Sequence, residues 1–128
     1  MEYKQIFCGI YARAKDDIET IKQWERGHLF CKKNNFTPLQ WQDITRSQWQ
    51  DYGTNYIFAL KNEIKRGTFK KLWVSDLSIF LDDEYVLNFL DFLNLYNVEL
   101  YVNDILQDIE DLIFEYCERV FKNIIRGN

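Results

Sequence analysis

Proline occurs once and glycine five times in 128 residues, which excludes long linkers and low-complexity stretches. No apolar run approaches the ~20 residues needed to span a bilayer, and Met1-Glu2-Tyr3-Lys4-Gln5 lacks the charged-then-apolar pattern of a secretory signal. Cysteine is scarce: Cys8, Cys31 and Cys117 lie far apart, with no CxxC pair, and His28 is the sole histidine. No metal-ligand set follows from that inventory, so neither a metal nor another cofactor is expected, and the thiols read as reduced in a cytoplasm. An excess of positive charge is also missing. The net charge is −4, from 16 basic and 20 acidic residues, which rules out a generic polycation for nucleic acid.

What the chain does have is apolar mass. Hydrophobic residues make up 47% and aromatics 17%, enough for a core without staples, and the length fits one domain spanning residues 1–128. Charge is unevenly placed. Residues 61–71 carry Lys61, Lys65, Arg66, Lys70 and Lys71 against Glu63 alone, whereas residues 104–118 carry Asp104, Asp108, Glu110, Asp111, Glu115 and Glu118 with no base. Such a basic patch contacts phosphates or is simply a solvated helix face and its turn.

Residues 4–12 (KQIFCGIYA) predict a buried first strand. Residues 17–35 predict a helix through Ile18, Ile21, Trp24, His28, Leu29 and Cys31, capped by Asp16 or Asp17 and stopped at Asn34-Asn35. Alternation over Pro38–Ile44 predicts a short strand, and residues 45–54 a loop. A second helix runs from Asn55 to Lys65, closed by Arg66-Gly67. Leu72–Leu77 is a second core strand, and residues 82–96 a third helix with Val86, Leu87, Phe89, Leu90, Leu93 and Leu95 inward. Val98–Val102 reads as a further strand. Residues 104–125 form a long terminal helix with an apolar stripe of Ile105, Ile109, Leu112, Ile113, Tyr116, Val120 and Ile124. Alternating strands and helices imply right-handed crossovers, hence a three-layer α/β fold: a mostly parallel sheet of about four to five strands with helices on both faces.

The first strand ends in Tyr11-Ala12-Arg13-Ala14-Lys15 and leads into a helix carrying Gln23. Further on come Ile64-Lys65-Arg66-Gly67, then Leu72-Trp73-Val74-Ser75-Asp76-Leu77-Ser78, then Leu95-Tyr96-Asn97-Val98-Glu99-Leu100. In order and spacing this set resembles the catalytic domain of serine recombinases, the resolvases and invertases, across residues 5–125. Those enzymes open with a strand ending in Tyr-x-Arg-x-Ser and a helix bearing a glutamine. The resemblance implies the resolvase-like fold, DNA strand cleavage and rejoining through a phosphoserine, and a dimer built on the long helix. Tyr11, Arg13, Lys15, Gln23 and Ser78 fall on matching positions.

Lys15 stands where the family has its nucleophilic serine, and an ammonium cannot replace that hydroxyl. The arginine expected before the second helix falls near Thr54 or Asn55, with Arg46 an offset replacement. The two expected after the second core strand fall near Ile79 and Asp82. Donors that gather charge on a transferring phosphoryl group are worth ~2–4 kcal/mol each, so the resemblance implies a degenerate, inactive site. Ser75 and Ser78 have no histidine nearby to activate them. Arg13 and Lys15 could still hold a phosphate without cutting it, or Arg13 could pair with a carboxylate while Lys15 points into water. Arg46, Lys65, Arg66, Lys70 and Lys71 are further phosphate candidates. The four tryptophans lack interleaved basic residues and read as core, with Trp49 a contact or anchor in the polar loop.

No helix-turn-helix or basic arm follows the terminal helix. Three functions therefore stand beside one another. The first is a recombinase-like protein of mobile-element or phage origin with weak DNA contact. The second is an interaction or oligomerisation module that pairs with itself or a partner recombinase through Leu112, Ile113, Tyr116 and Val120. The third is a small-ligand domain on a flavodoxin-like scaffold, although no glycine-rich phosphate loop follows the first strand.

Overall fold

The computed structural model describes residues 4–44, 55–80 and 82–126; the positions of Arg46, Trp49 and Thr54 fall outside them. In chain order the elements are β1 (Phe7–Ala14), α1 (Asp17–Lys33), β2 (Thr37–Ile44), α2 (Asn55–Arg66) and β3 (Lys71–Val74). A 3₁₀ turn (Leu77–Phe80) then leads to α3 (Asp83–Leu95), β4 (Glu99–Val102), β5 (Ile105–Leu106) and α4 (Ile109–Ile125). The five strands form one sheet in the order β2-β1-β3-β4-β5. All neighbours are parallel except β4 and β5.

Central β1 explains its own composition. It pairs with β2 on one side and β3 on the other and is covered on both faces, so seven of its eight residues are buried. A parallel strand in that position needs a continuous apolar run rather than alternation. On one face Cys8, Ile10 and Trp73 pack with Phe30 and Cys31 of α1. On the other, Tyr11, Leu72 and Val74 meet Ile57, Leu60 and Ile64 of α2, Phe89, Leu90 and Leu93 of α3, and Tyr116 of α4. The sheet is thus the middle of three layers.

One device ends three helices. Asn35, Gly67 and Asn97 take left-handed φ values of 58°, 76° and 55°. Behind each, the next amide reaches back five residues: Phe36 to the Cys31 carbonyl at 2.9 Å, Thr68 to Glu63 at 3.1 Å, and Val98 to Leu93 at 2.9 Å. Such 6→1 bonds satisfy end carbonyls and turn the chain back towards the sheet. Aspartates open the helices, Asp16 accepting from the Glu19 amide at 2.9 Å, Asp82 from Glu84 at 2.9 Å and Asp108 from Asp111 at 3.1 Å.

Three sequence expectations need correction. Residues 104–108 are not helical: Asn103 and Asp104, with φ of 47° and 71°, form a two-residue turn into antiparallel β5. This is the backbone demanded by tight hairpins, and asparagine and aspartate tolerate it. The second strand ends at Val74, because the chain enters the 3₁₀ turn. Finally, Ile18, Ile21 and Leu29 of α1 are exposed, as is Leu95 of α3. The face of α1 that packs on the sheet is Thr20, Gln23, Gly27, Phe30 and Cys31.

Gly27 is the reason. A Cβ there would lie 2.8 Å from Ile10 Cγ2 and 3.0 Å from Trp73 Cε3, so α1 approaches the sheet more closely than any larger residue permits. Gly27→Leu is expected to cost about 2–3 kcal/mol of stability through overpacking, beyond what glycine's poor helix propensity returns. Urea denaturation checks this, and a variant as stable as the parent would show that α1 can lift without penalty.

Candidate functional site

In sheet order the chain leaves β1 towards β2 on one side and β3 on the other, so ligand sites of open α/β sheets are expected outside the carboxyl ends of β1 and β3. A cleft of about 590 Å³ lies there. Arg13, Ala14 and Lys15 line it from the end of β1, Glu19, Lys22, Gln23 and Arg26 from α1, and Ser75, Asp76 and Ser78 from the turn after β3. The structure therefore brings together four of the five residues named by motif at this edge, Arg13, Lys15, Gln23 and Ser78. Tyr11 sits one step below, inside the sheet.

Gln23 is 9% exposed and commits both ends of its amide to one backbone unit. Its Oε1 accepts from the Arg13 amide at 2.9 Å, and its Nε2 donates to the Arg13 carbonyl at 3.0 Å. The side chain thereby stands in for a neighbouring strand where the ladder with β3 has ended at Ile10. Its role is to hold the end of β1 against α1.

Arg13 is placed differently from a surface phosphate clamp. It is 1% exposed and lies in register with Asp43 on β2, Nη1 and Oδ2 being 4.0 Å apart. The Tyr11 hydroxyl donates to the same Asp43 Oδ2 at 2.5 Å. Burial, together with the Asp43 carboxylate, pushes the Tyr11 phenol far above its ordinary range, opposed only in part by the Arg13 guanidinium. Tyr11 is fully buried, and its ring stacks on Phe80 with centroids 5.8 Å apart. Asp43 was missed in the sequence because the alternating strand pattern placed polar residues outward. Only the β1–β2 register reveals it opposite Arg13.

The mouth of the cleft carries mixed charge. Lys15 is exposed there, following β1 directly. Lys22 approaches Glu19 at 3.5 Å. Arg26 donates to Asn103 Oδ1 at 2.5 Å and lies over the Trp73 ring, 5.8 Å from its centroid. Lys22 and Arg26 carry no motif signal in the sequence, although they stand one helical turn apart on the side of α1 that borders the cleft. Ser78 is exposed, and its amide donates to Asp76 Oδ1 at 2.7 Å. No histidine or cysteine lines the cleft, and among the described residues no cluster of three or more His, Cys, Asp or Glu could hold a metal ion.

Of the remaining basic candidates, Lys65, Arg66, Lys70 and Lys71 occupy the opposite edge of the sheet. Lys71 opens β3 in register with Cys8, near the start of β1, about 16 Å along the strand from Arg13 at ~3.3 Å per residue. Lys71 donates to Glu99 Oε1 at 2.8 Å, Lys70 to the Tyr96 carbonyl at 3.0 Å, and Arg66 to Glu63 Oε1 at 2.8 Å. Lys65 is exposed at the end of α2. Lys61 covers the aromatic face of α3, 5.3 Å from the Tyr85 ring centroid and 5.7 Å from that of Phe92, and burial lowers its pKa. No single phosphate could meet both edges.

On α4, Tyr116 is buried, and Ile109, Leu112 and Ile113 pack against the core of their own chain. Val120 is half-buried. The outward side of the helix carries a second apolar stripe, Phe114, Phe121, Ile124 and Ile125, each more than 60% exposed, with exposed Cys117 between them. Arg119 reaches across to Asp83 of α3 at 3.8 Å.

Removing one member of a buried ion pair leaves the other charge uncompensated. Asp43→Ala is expected to lower stability by about 3–5 kcal/mol, and Tyr11→Phe by about 1 kcal/mol for one hydrogen bond. Chemical denaturation of the two variants measures both, and equal losses would mean that Asp43 serves Tyr11 alone.

No protein-family model matches the sequence, and no curated protein sequence does. Solved structures do. The N-terminal catalytic domain of TP901-1 integrase superposes with a TM-score of 0.78 at 13% identity, covering 93% of this chain and 98% of that one. The C-terminal catalytic domain of ISC1926 TnpA, an IS607-like serine recombinase, gives 0.66 at 12% identity over 77% and 70%. The first open reading frame of transposon ISC1904 from Sulfolobus solfataricus P2 gives 0.59 at 12% identity over 75% and 66%. The fold of this chain is that of a serine recombinase catalytic domain.

Proposed function

We propose that this chain is a recombinase-like protein of site-specific DNA recombination that holds DNA phosphates without cutting them. The observation that carries this reading is Lys15 at the cleft mouth, where the resembled family presents its nucleophilic serine. Around it, Ser75 and Ser78 have no general base of the histidine type, and Asp76 is engaged by the Ser78 amide. The buried guanidinium of Arg13 faces Asp43 rather than open solvent. Chemistry on a phosphodiester needs an activated nucleophile and preorganised donors at the equatorial oxygens. Contact alone needs only cations at the rim, which Lys15, Lys22 and Arg26 supply.

A weak, salt-sensitive association follows. Binding of a short fluorescent duplex at ~50 mM salt should weaken with a log–log slope of about −2 to −3, as for two or three neutralised phosphates. Lys15→Ala should reduce that slope by about 1, while Lys70→Ala at the opposite edge leaves it unchanged. Loss of the slope with Lys70→Ala instead would move the contact away from the cleft. A covalent protein–DNA adduct on a denaturing gel would overturn the inactive reading.

A second reading, an interaction module, is favoured by α4. Its inward stripe is engaged by its own core, and the outward stripe of Phe114, Phe121, Ile124 and Ile125 is what remains for a partner recombinase or a second copy. Contiguous exposed apolar residues at three- and four-residue spacing are the pattern of a helical interface. Light scattering on the parent should then give a dimer, and Phe114→Glu combined with Phe121→Glu a monomer with an unchanged melting temperature. A parent that is monomeric at high micromolar concentration would exclude self-association.

A further inference from the structure

We propose that Cys8 and Cys31 are a redox modification site, closing to a reversible disulfide under a hydroperoxide and lying at the sheet edge opposite the cleft. Cys8 stands at the start of β1 and Cys31 in the last turns of α1, both 0% exposed, in one apolar cluster with Ile10, Phe30 and Trp73. The backbone brings them together. The Phe36 amide donates to the Cys31 carbonyl at 2.9 Å, and the next residue, Thr37, donates to the Ile6 carbonyl at 2.7 Å. The turn between α1 and β2 thus ties the end of the helix to the start of β1, where Phe7 and Cys8 face Thr37 and Pro38.

The Cys8 thiol donates to the Gly9 carbonyl at 3.6 Å, and Cys31 lies beside it in the same buried cluster. The neighbouring Cys8 thiol lowers the Cys31 pKa, whereas the Cys31 sulfur and burial together push that of Cys8 up. The pair is therefore asymmetric, as an attacking thiol and a resolving thiol must be. Lys71, in register with Cys8, opposes the rise in the Cys8 pKa only in part. Cys117, exposed on α4, has no such companion.

The chemistry balances with hydrogen peroxide as oxidant. The Cys31 thiolate attacks one peroxide oxygen, the O–O bond breaks, and hydroxide leaves, giving a sulfenic acid. Cys8, losing its proton, attacks the Cys31 sulfur; the S–S bond forms, the S–O bond breaks, and the second oxygen departs as water. Two thiols lose two electrons, and one peroxide becomes two waters. Because both sulfurs are buried, the reaction passes through brief opening of the last turn of α1.

The test uses the full chain carrying Cys117→Ser, which removes an exposed thiol and leaves the buried pair untouched. Dilute hydrogen peroxide is added with and without a low, non-denaturing urea concentration that promotes local opening, and intact mass and peptide mapping follow. The expected product has lost two hydrogens, yields a linked Cys8–Cys31 peptide, returns to the starting mass with dithiothreitol, and melts about 5–15 °C higher. Addition of oxygen at either cysteine without a linked peptide would overturn the proposal. So would an unchanged mass under both conditions.

Discussion

The last residues of β1 impose the condition on which the rest of the molecule depends. This strand is paired on both sides and covered on both faces, so every polar group on it must find a partner inside the protein. Up to Ile10 the ladders with β2 and β3 supply those partners. Beyond Ile10 the ladder with β3 stops, and the Gln23 amide takes its place around the Arg13 backbone. The Arg13 side chain is matched by Asp43, which also accepts from Tyr11. One helix–strand contact and one strand register are thus held by four polar side chains, Tyr11 and Arg13 of β1, Gln23 of α1 and Asp43 of β2. Buried charges are costly unless paired; here the Asp43 carboxylate offsets the guanidinium charge across 4.0 Å, longer than a hydrogen bond.

That cluster also separates the scaffold beneath the cleft from the residues at its mouth. The tyrosine, arginine, glutamine and carboxylate form an architecture, holding β1, β2 and α1 in position. Lys15 lies one residue past the last buried strand position, and its side chain meets the cleft mouth rather than the core. The fold is shared with a recombinase catalytic domain at 13% identity, since burial and strand register can be kept by many sequences.

Much of the fold was legible in the sequence, and the failures have physical causes. β1 announced itself by continuous apolar content, and the alternation of strands with helices implied the parallel sheet. Asn35 and Gly67 marked helix ends because few other residues adopt a left-handed φ readily. The inward face of α1 was misjudged because apolar spacing favoured Ile18, Ile21 and Leu29. Close packing chose the small face around Gly27 instead, a tertiary demand that outweighs periodicity. The hairpin at Asn103-Asp104 was hidden by the helical spacing of Ile105 with Ile109. Of the site, Tyr11, Arg13, Lys15 and Gln23 were visible as a motif. Asp43, Lys22 and Arg26 were not, since each acquires meaning only through strand register or helix orientation.

Where the cations sit decides how the basic residues should be understood. The sequence groups five of them between residues 61 and 71, yet the folded chain directs them to helix ends, carbonyls and carboxylates at the far edge of the sheet. Lys61 lies on aromatic rings, and Lys71 spans Phe36 and Tyr101 while bonded to Glu99. A lysine so placed contributes packing along its stem as well as charge. The cleft has fewer basic residues, but they converge from the end of β1 and from α1 on one concavity. For recognising a phosphate, convergence matters more than number: several weak donors around a single anion act together, whereas the same donors spread over a surface are each screened by salt within about 10 Å.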